Sequence, residues 1–255
     1  MKRIVKLVLN IIPRTILTRL SYIIKPLIKI YLFGNKYTDP IDGSSFRKFL
    51  PYGYNNVRLN ALSPSTFSLE RHRLLWLYLK RETDFFEKKI KVLHFAPEKA
   101  FLSKFKKLEN ISYDTIDLNS PLADIKADIC NLPLKDNTYD FILCNHVLEH
   151  IINDKKAMQE LYRVLKKGGI GIFQVPIDIT KNKTFEDFSI TDSKERNKLF
   201  GQYDHVRIYG MDFFDRLINV GFKVNKCEYT AHLSEEEIIK YCLPKKEIIP
   251  ICIKQ

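Results

Sequence analysis

Glycine is scarce in this chain, with 9 in 255 residues, which argues against a glycine-rich phosphate loop anywhere along it. The five cysteines (Cys130, Cys144, Cys227, Cys242 and Cys252) show no C-x-x-C spacing. They read as small core residues of a reducing compartment, so a disulfide framework is not expected. No apolar run approaches the ~18–20 residues of a spanning helix. Lys6 and the lack of a small-residue cleavage site argue against a secretory signal. Acidic residues are missing from the first 38 positions, which carry eight Lys or Arg. The net charge of +12 therefore belongs mainly to that segment, and 34 basic against 30 acidic residues remain beyond it. A body this nearly neutral does not call for nucleic acid.

What is present divides the sequence into three parts. Residues 1–38 form a basic amphipathic helical segment. On a helix, Lys2, Lys6, Arg14, Ser21, Lys25 and Lys29 share one arc opposite Val5, Ile12, Ile16, Ile23 and Ile30, and Pro13 and Pro26 start or kink successive helices. Such a segment suits an anionic membrane surface, apolar face down. It also suits packing on the protein's own body, with the basic face in water.

Residues 39–89 hold two turn motifs, D-P-I-D-G (39–43) and S-P-S-T-F-S (63–68), followed by an apolar helical run from Glu70 to Leu79. The motifs have the layout of two zinc knuckles, with Asp39, Asp42, Ser63 and Thr66 where cysteines would stand. They resemble the small zinc ribbon that precedes the methyltransferase domain in some bacterial proteins. Without thiolates tight zinc is not expected; what remains is a turn-rich connector or weak divalent binding through Asp39 and Asp42. His72 reads as a helix-face residue.

From residue 90 to 255 short apolar strands alternate with amphipathic helices, which predicts a mostly parallel sheet with helices on both faces. Ligands in such sheets bind beyond the C-terminal strand ends. The residues there are Ala96-Pro97-Glu98, Asp117-Leu118-Asn119, Asp128-Ile129 and Asn145-His146. Asp117, about 20 residues past the first turn, is placed to accept both hydroxyls of a ribose. Asp128 follows next, placed to accept from an adenine amino group. For either acid alone, capping of the following helix is the stronger reading.

The order of H-F-A-P-E, Y-D-T-I-D-L, L-P-x-x-D-x-x-Y-D, N-H-V-L-E-H-I and L-Y-R-V-L-K-K-G-G resembles the class I S-adenosylmethionine-dependent methyltransferases over residues 90–255. That resemblance implies a seven-stranded Rossmann-like sheet with its last strand antiparallel and S-adenosylmethionine as cofactor. It implies that Asp117 takes the ribose hydroxyls and Leu118 packs on the adenine. Asp128 and Ile129 then hold the adenine edge, and Asn145 and His146 border the methionine moiety. The chain departs from the pattern at the first turn. His94 replaces an acid within the strand, and Ala96 and Glu98 replace glycines. S-adenosylmethionine has no pyrophosphate to wrap, so the turn tolerates Ala96, Pro97 stiffens it, and Glu98 is placed to face the cofactor's positive charge.

The connection from Asp178 to Tyr209 is long, polar and aromatic, which marks a substrate-side segment. His205 is the candidate general base there, and Arg207 the candidate for an anionic acceptor group. Alternatively both bond structurally. His146 and His150 have helical metal-pair spacing, but the sequence offers no third ligand, so no metal is expected.

The reading is a cytoplasmic methyltransferase, peripheral at the inner membrane, with a small-molecule, lipid-linked or glycan-precursor acceptor. A methyltransferase fold serving as a non-catalytic assembly partner is the alternative. A nucleic-acid methylase is disfavoured, because Asn145-His146-Val147-Leu148 stands where amino methylases carry N-P-P-Y or D-P-P-Y.

Overall fold

The computed structural model describes residues 24–53 and 57–255, which divide into two units. One holds the described residues up to Leu77 together with Leu233–Lys245; the other holds Tyr78–His232 and Lys246–Gln255.

In the first unit residues 24–32 are helical. Strands β1 (Phe33–Thr38) and β2 (Ser45–Phe46) pair antiparallel, as do β3 (Leu50–Tyr52) and β4 (Arg58–Leu62). Leu32, Phe46 and Phe49 make a small core, with Ile28 and Tyr37 packed on it. Helix α1 (Glu70–Glu82) follows. Its Arg73, fully buried, donates to the carbonyls of Ala61, Ser68, Tyr241 and Cys242 at 2.7–3.1 Å. Burial pushes its guanidinium pKa down, and the Asp39 charge opposes that. His72 accepts from the Leu69 amide at 3.1 Å, a local helix-start contact consistent with its expected place on the helix.

The two turn motifs fold alike. In the first, the Asp39 amide donates to the Ser44 carbonyl and the Gly43 amide to the Asp39 carbonyl; in the second, Ser63 and Ser68, then Phe67 and Ser63, repeat both bonds. Their side chains meet. Asp39 Oδ2 accepts from Thr66 and, at 3.0 Å, from Ser68, while Asp42 Oδ1 accepts from Ser65 at 3.1 Å. Ser63 Oγ lies 3.1 Å from Ser65 Oγ. Both carboxylates are thus committed to hydrogen bonds across the turns.

The second unit is built on a seven-stranded sheet in the order β12-β13-β9-β8-β5-β6-β7. The strands are β5 (Ile90–Phe95), β6 (Ile111–Asp117), β7 (Ile125–Lys126), β8 (Tyr139–Cys144), β9 (Leu165–Ile172), β12 (Phe222–Cys227) and β13 (Ile249–Lys254). All neighbours are parallel except β13, which runs antiparallel to both β9 and β12. The central strands are apolar because they are covered: Val92, Leu93, Ile142 and Leu143 are fully buried. The expected sheet is therefore the one observed.

Helix α2 (Lys99–Phe105) follows β5, starting and ending earlier than the periodicity of L-S-K-F-K-K-L-E-N predicts. Helix α3 (Asp154–Val164) is capped by Asn153, which accepts from the Lys156 amide at 3.0 Å. Its Ala157, Met158, Leu161 and Val164 enter the core. The helix does not run on to Gly168-Gly169, as the sequence suggests. Leu165 already pairs with Tyr139, so the glycines lie within β9, at an irregularity where Gly168 takes φ +72°. Helix α5 (Phe213–Val220), which follows the equally long α4 (Ser193–Phe200), stops on left-handed Gly221 at φ +119°.

Candidate active site

The residues singled out at the strand ends lie at one edge of this sheet, past the C-termini of β5, β6, β7 and β8. At the first turn Ala96 has φ +44°, a left-handed backbone that usually needs glycine, and its amide still donates to the Ile116 carbonyl at 2.9 Å. Holding a non-glycine residue there costs of order 1 kcal/mol, which is typical of ligand-binding turns. Pro97 is buried behind it.

His94, fully buried, explains the rest of the departure. Its Nδ1 lies 2.7 Å from the Tyr113 hydroxyl and its Nε2 contacts Glu98 Oε2 directly. Burial, then the Glu98 charge, pushes the Tyr113 pKa well up, so the hydroxyl stays protonated and donates to Nδ1. The ring then presents an Nε2–H to Glu98. The other Glu98 oxygen accepts from Asn145 Nδ2 at 3.3 Å, and Asn145 Oδ1 takes the Gln174 amide at 3.3 Å. Gln174 in turn reaches Glu247 at 3.5 Å. A carboxylate is thus delivered to the end of β5 from the turn rather than from the strand, with the strand's histidine gripping it.

Asp117 ends β6. Its Oδ1 accepts from the Asn119 and Ser120 amides at 2.7 and 2.6 Å, which fixes the carboxylate on its own turn. Beside it Leu118 is 56 % exposed, an apolar surface ready for a flat partner. Asp128 caps its own turn through the Cys130 amide at 2.8 Å, with Ile129 buried next to it. His146 has φ +55° and bonds through its amide to the Gln174 carbonyl at 2.7 Å. Glu98, Asn145 and His146 are therefore joined through His94 and Gln174, while Asp117 and Asp128 stand on the strands farther along the same edge. Tyr113 and Gln174 were not singled out from the sequence; only the partner-seeking His94 pointed toward them.

The long connection folds back on the segment after β8. Strands β10 (Phe185–Glu186) and β11 (Arg207–Ile208) pair antiparallel. Arg207 is not free for an acceptor: it is 1 % exposed and donates to Glu186 at 2.8 Å and to the carbonyls of Leu148, Ile151 and Ile152. Those carbonyls end a 3-10 turn and need a donor, so Arg207 is a structural clamp. His205 is buried, with Nδ1 3.1 Å from the Phe200 carbonyl and its ring edge-on to His150. Burial lowers its pKa, with Glu149 opposing. His146 and His150 do not share a helix, since His150 ends a 3-10 turn over Leu148–His150 that His146 precedes.

These features fit S-adenosylmethionine. The cofactor needs a carboxylate for the ribose diol, an apolar surface for adenine and an anionic group near its cationic end, and Asp117, Leu118 and Glu98 are side chains of those kinds. A seven-stranded sheet with one reversed strand and this edge defines the class I methyltransferase fold.

Comparisons with known proteins agree. Residues 87–173 match the family described as "Methyltransferase domain". That segment is a class I S-adenosylmethionine-dependent methyltransferase domain. An uncharacterized protein of Methanocaldococcus jannaschii is 47 % identical over 68 residues, covering 26 % of this chain and 30 % of its own length. The ubiquinone/menaquinone biosynthesis C-methyltransferase of Idiomarina loihiensis is 35 % identical over 68 residues, 26 % of this chain and 27 % of that one. The chain spans from 27 % to 51 % of the length of the first three curated relatives it matches. Among solved structures, an S-adenosylmethionine dependent methyltransferase of Mesorhizobium loti is similar with TM-score 0.49 and 14 % identity, covering 71 % of this chain and 98 % of that one.

Proposed function

We propose that the whole chain is a methyltransferase using S-adenosylmethionine, acting at a cytoplasmic membrane surface on a small-molecule, lipid-linked or glycan-precursor acceptor. The observation that carries the cofactor part is the Glu98 carboxylate held between His94 and Asn145 beneath a left-handed Ala96. When bound, the cofactor supplies an electrophilic methyl group on a sulfonium. Glu98 and Asn145 position its methionine end, with His146 alongside. Asp117 accepts the ribose hydroxyls, Leu118 packs on the adenine, and Asp128 and Ile129 receive its edge. What is left for the protein is to place the acceptor in line and exclude water. His205, with Nδ1 satisfied, is assigned to the acceptor's proton, through the cation argued for below. A quinone, after the Idiomarina loihiensis relative's name, is one acceptor to screen.

The first unit supports two further parts of this reading. The repeated backbone bonds of the two turns support a zinc-ribbon remnant in which hydrogen bonds among Asp39, Asp42, Ser63, Ser65 and Thr66 stand in for the metal. Membrane contact is supported by Leu27, Ile30, Tyr31 and Phe33, which are 67–77 % exposed in the described end of the basic segment. Residues 1–23 of that segment lie outside the described residues. Among the described residues no helix is long and apolar enough to cross a membrane.

Calorimetric titration of the full chain with S-adenosylmethionine and S-adenosylhomocysteine tests the cofactor site. Binding is expected in the wild type, with Asp117→Ala and Glu98→Gln each weaker by about tenfold or more, the equivalent of ~1.4 kcal/mol. Failure of the folded wild type to bind either compound would favour the alternative of a non-catalytic assembly protein.

A further inference from the structure

The sequence gives His146 and His150 no third partner, but the fold supplies two. Glu149 follows β8 in the same 3-10 turn as His150, and His205 arrives from 55 positions farther along, carried by the connection that Arg207 clamps down. The Val206 amide donating to the Glu149 carbonyl at 3.0 Å fixes that approach. One ligand atom from each of Glu149, His150 and His205 lies within 4.8 Å of the others.

Glu149 makes this more than a coincidence of packing. Its side chain is 2 % exposed, and neither carboxylate oxygen accepts a hydrogen bond. His146 Nδ1 lies 3.3 Å from Oε1. A buried carboxylate left this way is costly unless a cation compensates it. The two histidines are prepared in a complementary way. His205 directs Nδ1 to the Phe200 carbonyl at 3.1 Å, and His150 directs Nδ1 to the Asp204 carbonyl at 3.3 Å and the Asp204 carboxylate at 3.4 Å. A carbonyl accepts, so each ring carries its proton on Nδ1 and keeps the Nε2 lone pair. This is the outer bonding typical of metal-ligating histidines.

We propose that Glu149, His150 and His205 bind a divalent transition-metal cation, with His146 beside it. Two imidazoles and a carboxylate without sulfur suit zinc, iron, cobalt or manganese and discriminate against calcium and magnesium. Bonds of about 2.1 Å set ligand atoms roughly 3–3.5 Å apart, so the three side chains close by about 1 Å onto the ion. Three ligands leave open positions. Resting on the methyltransferase reading, those positions, just past Asn145 in the chain, would take an acceptor hydroxyl and ease loss of its proton. That assigns oxygen acceptors and makes His205 a ligand rather than a free base.

The test needs neither S-adenosylmethionine nor an acceptor, so its outcome is separable from that of the cofactor site. Full-length protein is stripped with chelator, dialysed and titrated with Co2+ while visible absorption and heat are recorded. One equivalent is expected, with d–d bands, no thiolate charge transfer, and displacement by Zn2+. Glu149→Gln and His205→Asn should each weaken binding by more than about 100-fold. Asp204→Asn, which keeps all three ligands, should cost the roughly 10–100-fold typical of an outer partner. Circular dichroism checks folding. If Glu149→Gln does not fold, the His205 and Asp204 variants decide. No Co2+ binding by the folded wild type, or binding unchanged in the folded variants, overturns the proposal.

Discussion

Arg163 and Glu160 show what one residue pair contributes to this domain. Arg163 donates twice to Glu160, at 2.8 and 2.7 Å, and also to the Leu132 and Leu134 carbonyls and to Asp136. Glu160 accepts from the Leu132 amide at 2.8 Å. The L-Y-R-V-L motif therefore grips the L-P-x-x-D motif, and the two most recognisable runs in the sequence form one clamp that leads the chain into β8. The Arg163 hydrogen bonds hold the Glu160 pKa below its ordinary range, outweighing burial. A depressed carboxylate pKa stabilises the fold fully above the unfolded-state value of about 4.3, and that stabilisation is lost as pH falls through the lower folded value. Arg163→Met should cost about 1.5–3 kcal/mol near neutral pH. The gap from wild type should then narrow below about pH 4. Thermal unfolding across pH 3–7 measures this, and a gap constant over that range would count against the clamp.

At the scale of elements, the two turns of the first unit make a sharper case. On the zinc-ribbon reading proposed above, cysteines at positions 39, 42, 63 and 66 would face one centre. The quadruple variant Asp39→Cys, Asp42→Cys, Ser63→Cys, Thr66→Cys is expected to bind one zinc ion more than the wild type, tetrahedrally through thiolates, and to gain more in melting temperature from zinc than the wild type does. Co2+ in place of zinc should give thiolate charge-transfer bands in the variant only. A variant that takes up no more zinc than the wild type would mean the turns do not converge as the hydrogen bonds place them. Most of this level could be read in advance. Alternating apolar runs marked every strand of the sheet, and Gly221 marked the stop of α5, because these signals are local. Gly168-Gly169 would by themselves mark a later stop for α3, but cross-strand pairing of Leu165 with Tyr139 ends the helix before them. The site was legible only in part. His94 was visible as a departure, but not that it grips Glu98, since that depends on the turn and on Tyr113 from the neighbouring strand. Glu149 in L-E-H-I looks like packing until folding leaves it buried without a donor, and His205 reaches it only across a long connection.

At the scale of the molecule, charge and apolar surface are distributed unevenly in one direction. The first 38 residues hold eight of the 42 basic side chains and no acid. In their described part Leu27, Ile30 and Tyr31, at helical i, i+3, i+4 spacing, are 67–75 % exposed, while Leu32 is turned into the small core. The interfacial helix proposed above would use that stripe. Burying a Leu or Ile side chain contributes about 1.5–3 kcal/mol. Leu27→Glu with Ile30→Glu in the full chain should therefore lower partition onto phosphatidylglycerol vesicles by two orders of magnitude or more. Binding of the wild type should also fall with added salt, as surface attraction is screened over about 8–10 Å. Vesicle co-flotation reads both effects. A double variant that floats like wild type, or a wild type that ignores anionic vesicles at low salt, would remove the membrane from the account of this protein and leave its acceptor to be sought among water-soluble compounds.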